Sequence, residues 1–159
     1  MKENQLDPID VRILEELTAD ARIPFVQLSK KLNVSNTLIH QRIKKLKDSG
    51  ILKNAIFRLD SWEMGYQTQA FTSIMLTDSK LHRNVEEALS QIPEIVECAN
   101  IAGRYALLAK LVATDNRHLR SIIYEKIHVI DGVEGTNTTI VFETAFERGV
   151  PLRRTYLAS

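Results

Sequence analysis

Asn36, Thr37, His40, Gln41, Lys44 and Lys45 fall at i, i+1, i+4, i+5, i+8 and i+9. On a helix this spacing gathers amide, hydroxyl, imidazole and ammonium groups on one side. Amides and hydroxyls can exchange hydrogen bonds with base edges, and ammonium groups suit phosphates. Arg42 and Lys47 stand at the edges of the same face, and Arg42 is expected to supply charge to DNA together with Lys44 and Lys45. Ser35, just before it, is placed to cap the helix, and its hydroxyl and the helix N-terminus suit a phosphate. The plain alternative is a solvated face, which any small helical domain shows.

Charge and spacing favour the first reading. Residues 21–59 hold nine Lys/Arg against Asp48 alone, a local charge of +8, whereas residues 61–159 hold ten Lys/Arg and twelve Asp/Glu, a charge of −2. A basic block beside a near-neutral remainder points to a polyanion partner for the first part only. The stretch Gln27–Gly50 has the spacing of a helix, a tight Asn33-Val34-Ser35 turn and a second helix. Such a pair would present its second helix to double-stranded DNA.

Three helices must position that face. The first begins at Asp7-Pro8, where Asp7 can accept from free N–H groups and Pro8 suits the first helical position. Asp10 adds favourable charge near the positive helix end. Ile9, Ile13 and Leu17, with Val11 and Leu14 beside them, make its apolar stripe up to about Ala19. The second helix runs from near Pro24 to Leu32 with Val26, Leu28 and Leu32 toward the core, and Asn33 stops it. The third spans about Asn36 to Ser49 with Ile39, Ile43 and Leu46 inward, Leu38 on the flank, and Gly50 as its stop. Asn54–Leu59 has the composition of a strand, which would complete a winged-type helix-turn-helix domain over residues 1–60.

Residues 61–66 form a linker, and the period then changes. Strands are expected over Gln67–Leu76, with Phe71 and Ile74 its clearest apolar members, over Ile95–Ile101 and Tyr105–Val112, and over Thr136–Phe146, where Ile140 and Phe142 alternate with threonines. Helices are expected over His82–Gln91 and Asn116–Ile130. Ala102-Gly103-Arg104 joins the middle strands as a tight hairpin, and Asp131–Gly135 is a turn. The order βαββαβ over residues 67–159 is that of a ferredoxin-like sandwich, so the whole chain is α+β. Helices on one sheet face leave the other to be covered, most simply by a second copy. Ala70, Cys98, Leu108, Val112 and Val141 fit either face. The tail from Arg148 is basic, and Arg153 and Arg154 are expected to be solvated.

Little supports an enzyme. His40, His82, His118 and His128 are scattered without metal-ligand spacing, and no Gly-rich phosphate loop, GxSxG or HExxH occurs. Cys98, the single cysteine, rules out a disulfide framework within the chain and is expected to be a buried, inert thiol. No catalytic residue, metal or cofactor is expected. No apolar run approaches the roughly 20 residues that span a bilayer, and the first residues lack the apolar core of a signal peptide. The expected address is the cytoplasm.

Leu6-Asp7-x-x-Asp10-x-x-Ile13-Leu14, Ala21-Arg22, Leu28-Ser29, Ser35, Arg42-Ile43-x-x-Leu46 and Gly50-Ile51 resemble the N-terminal domain of the Lrp/AsnC transcription regulators, the feast/famine proteins. The βαββαβ half resembles their effector-binding and oligomerisation domain. The resemblance implies a sequence-specific DNA-binding regulator, homodimers packed sheet to sheet and often assembled further into octamers, and an effector, an amino acid or a related small molecule, bound between dimers. It carries the effector site onto Gly103, Arg104, Tyr105 and Ala106. Relatives commonly have Gly-x-Tyr-Asp or Gly-x-Phe-Asp there, and here Ala106 replaces the acid. That carboxylate lies near the effector in relatives, so the resemblance no longer supports a leucine-like response. Arg104 could receive a ligand carboxylate or stand solvated in the turn. Two other functions remain compatible with the scaffold: an enzyme of the siroheme-decarboxylase type, and an architectural protein that wraps DNA.

Overall fold

The structure is a computed structural model and describes residues 6–152. The chain divides into two compact units. One comprises the chain up to Phe57 together with the segment from Phe146, and the other is Arg58–Ala145. The sequence placed everything after residue 66 with the sheet. The segment from Phe146 instead groups with the helical unit, where Leu152 packs against the helical core. The expectation for Arg153 and Arg154 falls outside the described residues.

In the helical unit, α1 spans Pro8–Ala19, α2 Phe25–Leu32 and α3 Asn36–Asp48. A reciprocal capping box starts α1: the Asp10 N–H donates to Asp7 Oδ1 at 2.9 Å, and the Asp7 N–H donates to Asp10 Oδ2 at 3.3 Å. The turn after α2 works because Asn33 takes the left-handed conformation, φ 55°, and the Val34 N–H donates to the Ser29 carbonyl at 3.0 Å. Ser35 then caps α3, accepting from the Leu38 N–H at 3.2 Å. Ile39, Ile43 and Leu46 pack with Ile13, Leu14, Leu28 and Leu32 in one core. Each such fully buried side chain contributes about 1.5–3 kcal/mol.

Two expectations fail in this unit. Val26 is 55% exposed rather than part of the core, because Leu28 and Leu32 already supply the buried side of the short α2. Asn54–Leu59 forms no strand. An extended segment needs a ladder partner, and a single chain offers none here. Ile56, Phe57 and Leu59 are left largely exposed, with the Arg22 guanidinium stacked 4.3 Å from the Phe57 ring centroid.

The second unit is a four-stranded antiparallel sheet in the order β2-β3-β1-β4, where β1 is Thr68–Leu76, β2 Ile95–Asn100, β3 Leu107–Ala113 and β4 Val133–Val141. With α4 at His82–Ser90 and α5 at Asn116–Ser121 this is the ferredoxin-like arrangement. Ala70, Thr72 and Ile74 of β1 pair with Leu111, Ala109 and Leu107 of β3 on the buried face, under Val85, Leu89, Leu119 and Ile122. The register settles the ambiguous residues. Ala70 and Cys98 lie on the helix-covered side, and Leu108, Val112 and Val141 lie on the other. Phe71 and Ile74 are on opposite faces, so Phe71 is partly exposed. The strand expected over Thr136–Phe146 starts earlier and ends at Val141, and Phe142 is fully exposed.

The helix expected over Asn116–Ile130 is α-helical only to Ser121, then continues as a π turn over Ile122–Ile127. The His128 N–H donates to the Ile123 carbonyl five residues back, at 2.9 Å. The extra residue brings Ile127 into the core. Lys126 turns outward, its Nζ 2.7 Å from Glu94 Oε1.

Candidate nucleic-acid interface and ligand cavity

The outer face of α3 carries Asn36, Thr37, His40, Gln41, Lys44 and Lys45, all exposed. They share one side because Ile39, Ile43 and Leu46 claim the other. His40 is steadied by Phe25 of α2, whose ring meets it edge-on at a centroid distance of 4.9 Å. Lys44 and Lys47 have no acidic partner among the described residues, so their charge is available to a polyanion. Ser35 caps the helix with its oxygen and keeps its O–H to donate.

Arg42 and Lys45 are placed differently. The side chain of Asp10 is wholly buried, and both cations reach it. Arg42 Nη1 lies 3.4 Å from Asp10 Oδ1 and Lys45 Nζ 3.1 Å from Oδ2. Arg42 also pairs with Asp7. A buried carboxylate persists only when paired, so this clasp ties the start of α1 to the middle of α3. Arg42 is mostly covered, whereas the Lys45 side chain remains half exposed. Burial opposes ionisation of Asp7, but the Asp10 N–H bond and the Arg42 charge outweigh it, and its pKa is lowered. Nothing local in the sequence links Asp7 and Asp10 to Arg42, which lies more than thirty residues away.

The four hairpin residues come together around a cavity of about 270 Å³ in the sheet unit. Gly103, Arg104, Tyr105 and Ala106 line it with Leu76, Ser79, His82 and Ile101. Gly103 has φ 128°, a conformation that favours glycine, and this lets the chain reverse. The Ala106 N–H donates to the Ile74 carbonyl and the Ile101 N–H to the Ala106 carbonyl, both at 3.0 Å. Arg104 is exposed, with its guanidinium 5.8 Å from the Tyr105 ring centroid. His82, the first residue of α4, donates from Nε2 to Asn100 Oδ1. Sequence reasoning missed Ile101, two residues before Gly103 in the chain, and Leu76, Ser79 and His82, which only the fold brings to the hairpin.

Cys98 is exposed, not buried, because β2 is an edge strand. Neighbouring protein groups that partly desolvate the thiol, and then the Glu86 charge, raise its pKa, which disfavours the reactive thiolate. Among the described residues no three His, Cys, Asp or Glu side chains gather to hold a metal ion, and no helix is long and apolar enough to cross a membrane.

Residues 6–53 match the model of a winged helix-turn-helix DNA-binding domain, and residues 69–151 match that of the Lrp/AsnC ligand binding domain. The regulatory protein AsnC of Haemophilus influenzae is 31% identical over 147 residues, covering 92% of this chain and 98% of that protein. The solved structure of Escherichia coli AsnC superimposes with a TM-score of 0.85 at 29% identity, over 92% of this chain and 98% of that one. A transcriptional regulator of Neisseria meningitidis solved with L-Met has the same fold, with a TM-score of 0.86 at 22% identity, over 95% of this chain and 99% of that one. The names of these relatives are those of regulators: a regulatory protein and a transcriptional regulator. The chain belongs to the Lrp/AsnC family and is a DNA-binding transcription regulator with a ligand-binding domain.

Proposed function

We propose that α3 enters the DNA major groove with Asn36, Thr37, His40 and Gln41 toward base edges, and Lys44, Lys45 and the Ser35 hydroxyl toward phosphates. Arg42 acts at one remove: its pairing with Asp7 and Asp10 fixes the angle at which α3 leaves the domain. A homodimer built on the sheet face opposite α4 and α5 presents two such helices, and the resemblance to octameric relatives allows further assembly. A small effector, an amino acid or a related molecule of that size, occupies the hairpin cavity and tunes DNA binding. The L-Met bound to the Neisseria relative supports this class of ligand. A chromosomal DNA partner implies work in the cytoplasm.

The observation that carries this reading is the division of labour on α3. One side is core, one edge is clasped to α1, and the remaining side carries exposed amides and Lys44, which has no acidic partner among the described residues. Gln41→Ala is therefore expected to lower the ratio of specific to random DNA binding, by about 1–3 kcal/mol at the affected base position. Lys44→Ala is expected to weaken both kinds of binding and to lower the salt slope by about one. Competition gel shifts at several salt concentrations measure both effects. Equal losses for the two variants on specific and random DNA would remove the base-reading role from Gln41.

A further inference from the structure

Of the four side chains on the base-facing side of α3, His40 alone has a side-chain partner among the described residues. Asn36, Thr37 and Gln41 make no side-chain hydrogen bond or ring contact there. The His40 imidazole meets the Phe25 ring at an interplanar angle of 79°, with the centroids 4.9 Å apart. Phe25 is the first residue of α2 and is half-buried, packed against the core that holds Leu28, Leu32 and Ile39. The Pro24 carbonyl accepts from the Gln27 and Leu28 N–H groups at 2.8 and 2.9 Å, which fixes the turn that carries Phe25. The partner of an exposed residue is thus anchored in the interior.

The four histidines differ in what their ring nitrogens do. His82 donates from Nε2 to Asn100, and His128 pairs Nε2 with the Thr136 hydroxyl at 2.8 Å. His118 accepts the Thr114 N–H at Nδ1 and points Nε2 at Glu94. Both nitrogens of His40 are without a hydrogen-bond partner among the described residues. A hydrogen-bonding neighbour would orient the ring by using up one nitrogen. An aromatic neighbour orients it and leaves both free, one donor and one acceptor in the neutral form. Each base pair shows the major groove its own pattern of donors and acceptors, so a ring held in one orientation can tell them apart. An edge-on aromatic contact favours that orientation about two- to tenfold. A side chain so restricted loses less freedom on binding, and the gain falls only on sequences whose groups match it.

Resting on the proposed entry of α3 into the major groove, we infer that Phe25 is a positioning residue for base reading. It holds the His40 imidazole in the orientation that selects one base pair of the half-site. Phe25 acts through His40 and needs no DNA contact of its own. Leu or Met in its place would keep the apolar contact with the core but lose the flat ring, and Tyr would keep both.

The test measures binding of the full chain to a specific site and to that site with each base pair replaced in turn. His40→Ala is expected to flatten the preference at one position of the half-site. Phe25→Leu and Phe25→Met are expected to reduce the preference at that same position about two- to tenfold, and Phe25→Tyr to retain it. The double variant carrying Phe25→Leu and His40→Ala should be no flatter there than His40→Ala alone, because the two residues act as one unit. Affinity for random DNA and its salt slope are set by the lysines and should match the wild type in the Phe25 variants. A merely structural role would lower the melting temperature or weaken binding to every sequence alike, and leave the base preference as it is. Unchanged preference in the Leu and Met variants, a loss spread evenly over all positions, or additive losses in the double variant overturns the inference. So does a Tyr variant that loses the preference as Leu does. If His40→Ala leaves every preference intact while Gln41→Ala flattens one, this inference falls and the major-groove reading stands. If neither variant changes any preference, both fall.

Discussion

At the residue scale the decisive group is a carboxylate that never meets DNA. Asp10 is buried and held by Arg42 and Lys45, while Asp7 caps α1 and shares Arg42. Two positive residues that look like DNA contacts in the sequence thus also hold the domain together. The pKa of Asp7 is lowered from 3.8, so its native partners favour the charged form. A lowered folded pKa gives stability that is present above the unfolded value and lost as pH falls through the folded one. Asp7→Asn retains a good N-cap but loses the charge. Its penalty should be about 1 kcal/mol or less near neutral pH, since the pair is partly solvent-screened. It should begin to shrink as pH falls below the ordinary carboxylate value of about 4, and vanish only below the lowered folded value, where the native carboxylate is itself protonated. Melting temperatures of both proteins across that range check this. An equal penalty in acid and at neutral pH would mean that the charge contributes nothing.

At the scale of elements, the turn between the π-helical segment and β4 is the tightest constraint. Gly132 has φ 97°, and a Cβ there would lie 2.9 Å from Leu81 Cβ and 3.1 Å from Val85 Cγ2. Its carbonyl accepts from the Thr77 N–H at 3.0 Å, which ties the turn to the end of β1. Gly132→Ala therefore combines left-handed strain of about 1–2 kcal/mol with overpacking against Leu81 and Val85 of about 1–3 kcal/mol. Chemical denaturation should show a loss of about 2–4 kcal/mol. A neutral result would mean that Leu81 gives way at little cost.

The same scale shows what the sequence could reveal. Capping and stop signals at Asp7, Asn33 and Ser35 are local, and they placed α1, α2 and α3 within a residue or two. The α3 face was legible because its inward residues repeat at helical spacing. The π turn was not, because Leu119, Ile122, Ile123, Ile127 and Ile130 all fit the spacing of an ordinary helix, and only the bond from the His128 N–H to the Ile123 carbonyl reveals the wider turn. The failed strand at Asn54–Leu59 has the right composition but no partner in one chain. The cavity was half legible. The hairpin is contiguous, whereas His82 and Ser79 reach it only through the crossover of α4.

At the scale of the whole molecule, the unanswered question is the sheet face opposite α4 and α5. Phe71 lies there with Leu108, Val112 and Val141, framed by Gln69, Lys110 and Glu97. An apolar centre with a polar rim is the composition of a protein interface. A stable one needs about 800 Å² from each partner, which a four-stranded face can supply. Twofold pairing through it would join two copies of α3 into one bivalent reader. The second half-site then binds at an effective concentration in the millimolar range, and affinity rises by about 10²–10⁴ without any new DNA contact. Phe71→Glu tests this, because Phe71 is 38% exposed in the single chain and pairs with Lys110 on β3. The new carboxylate can form a cross-strand ion pair in the monomer but would be buried unfavourably between two sheets. Sedimentation should show the wild type as at least a dimer and the variant shifted toward monomer, with the same circular dichroism spectrum. Footprints of the wild type should cover two half-sites roughly 34 Å apart, or a multiple of that, in a pseudo-palindrome. The variant should protect one half-site weakly. A wild type that protects a single asymmetric half-site, or a variant with unchanged mass and footprint, would place the pairing surface elsewhere.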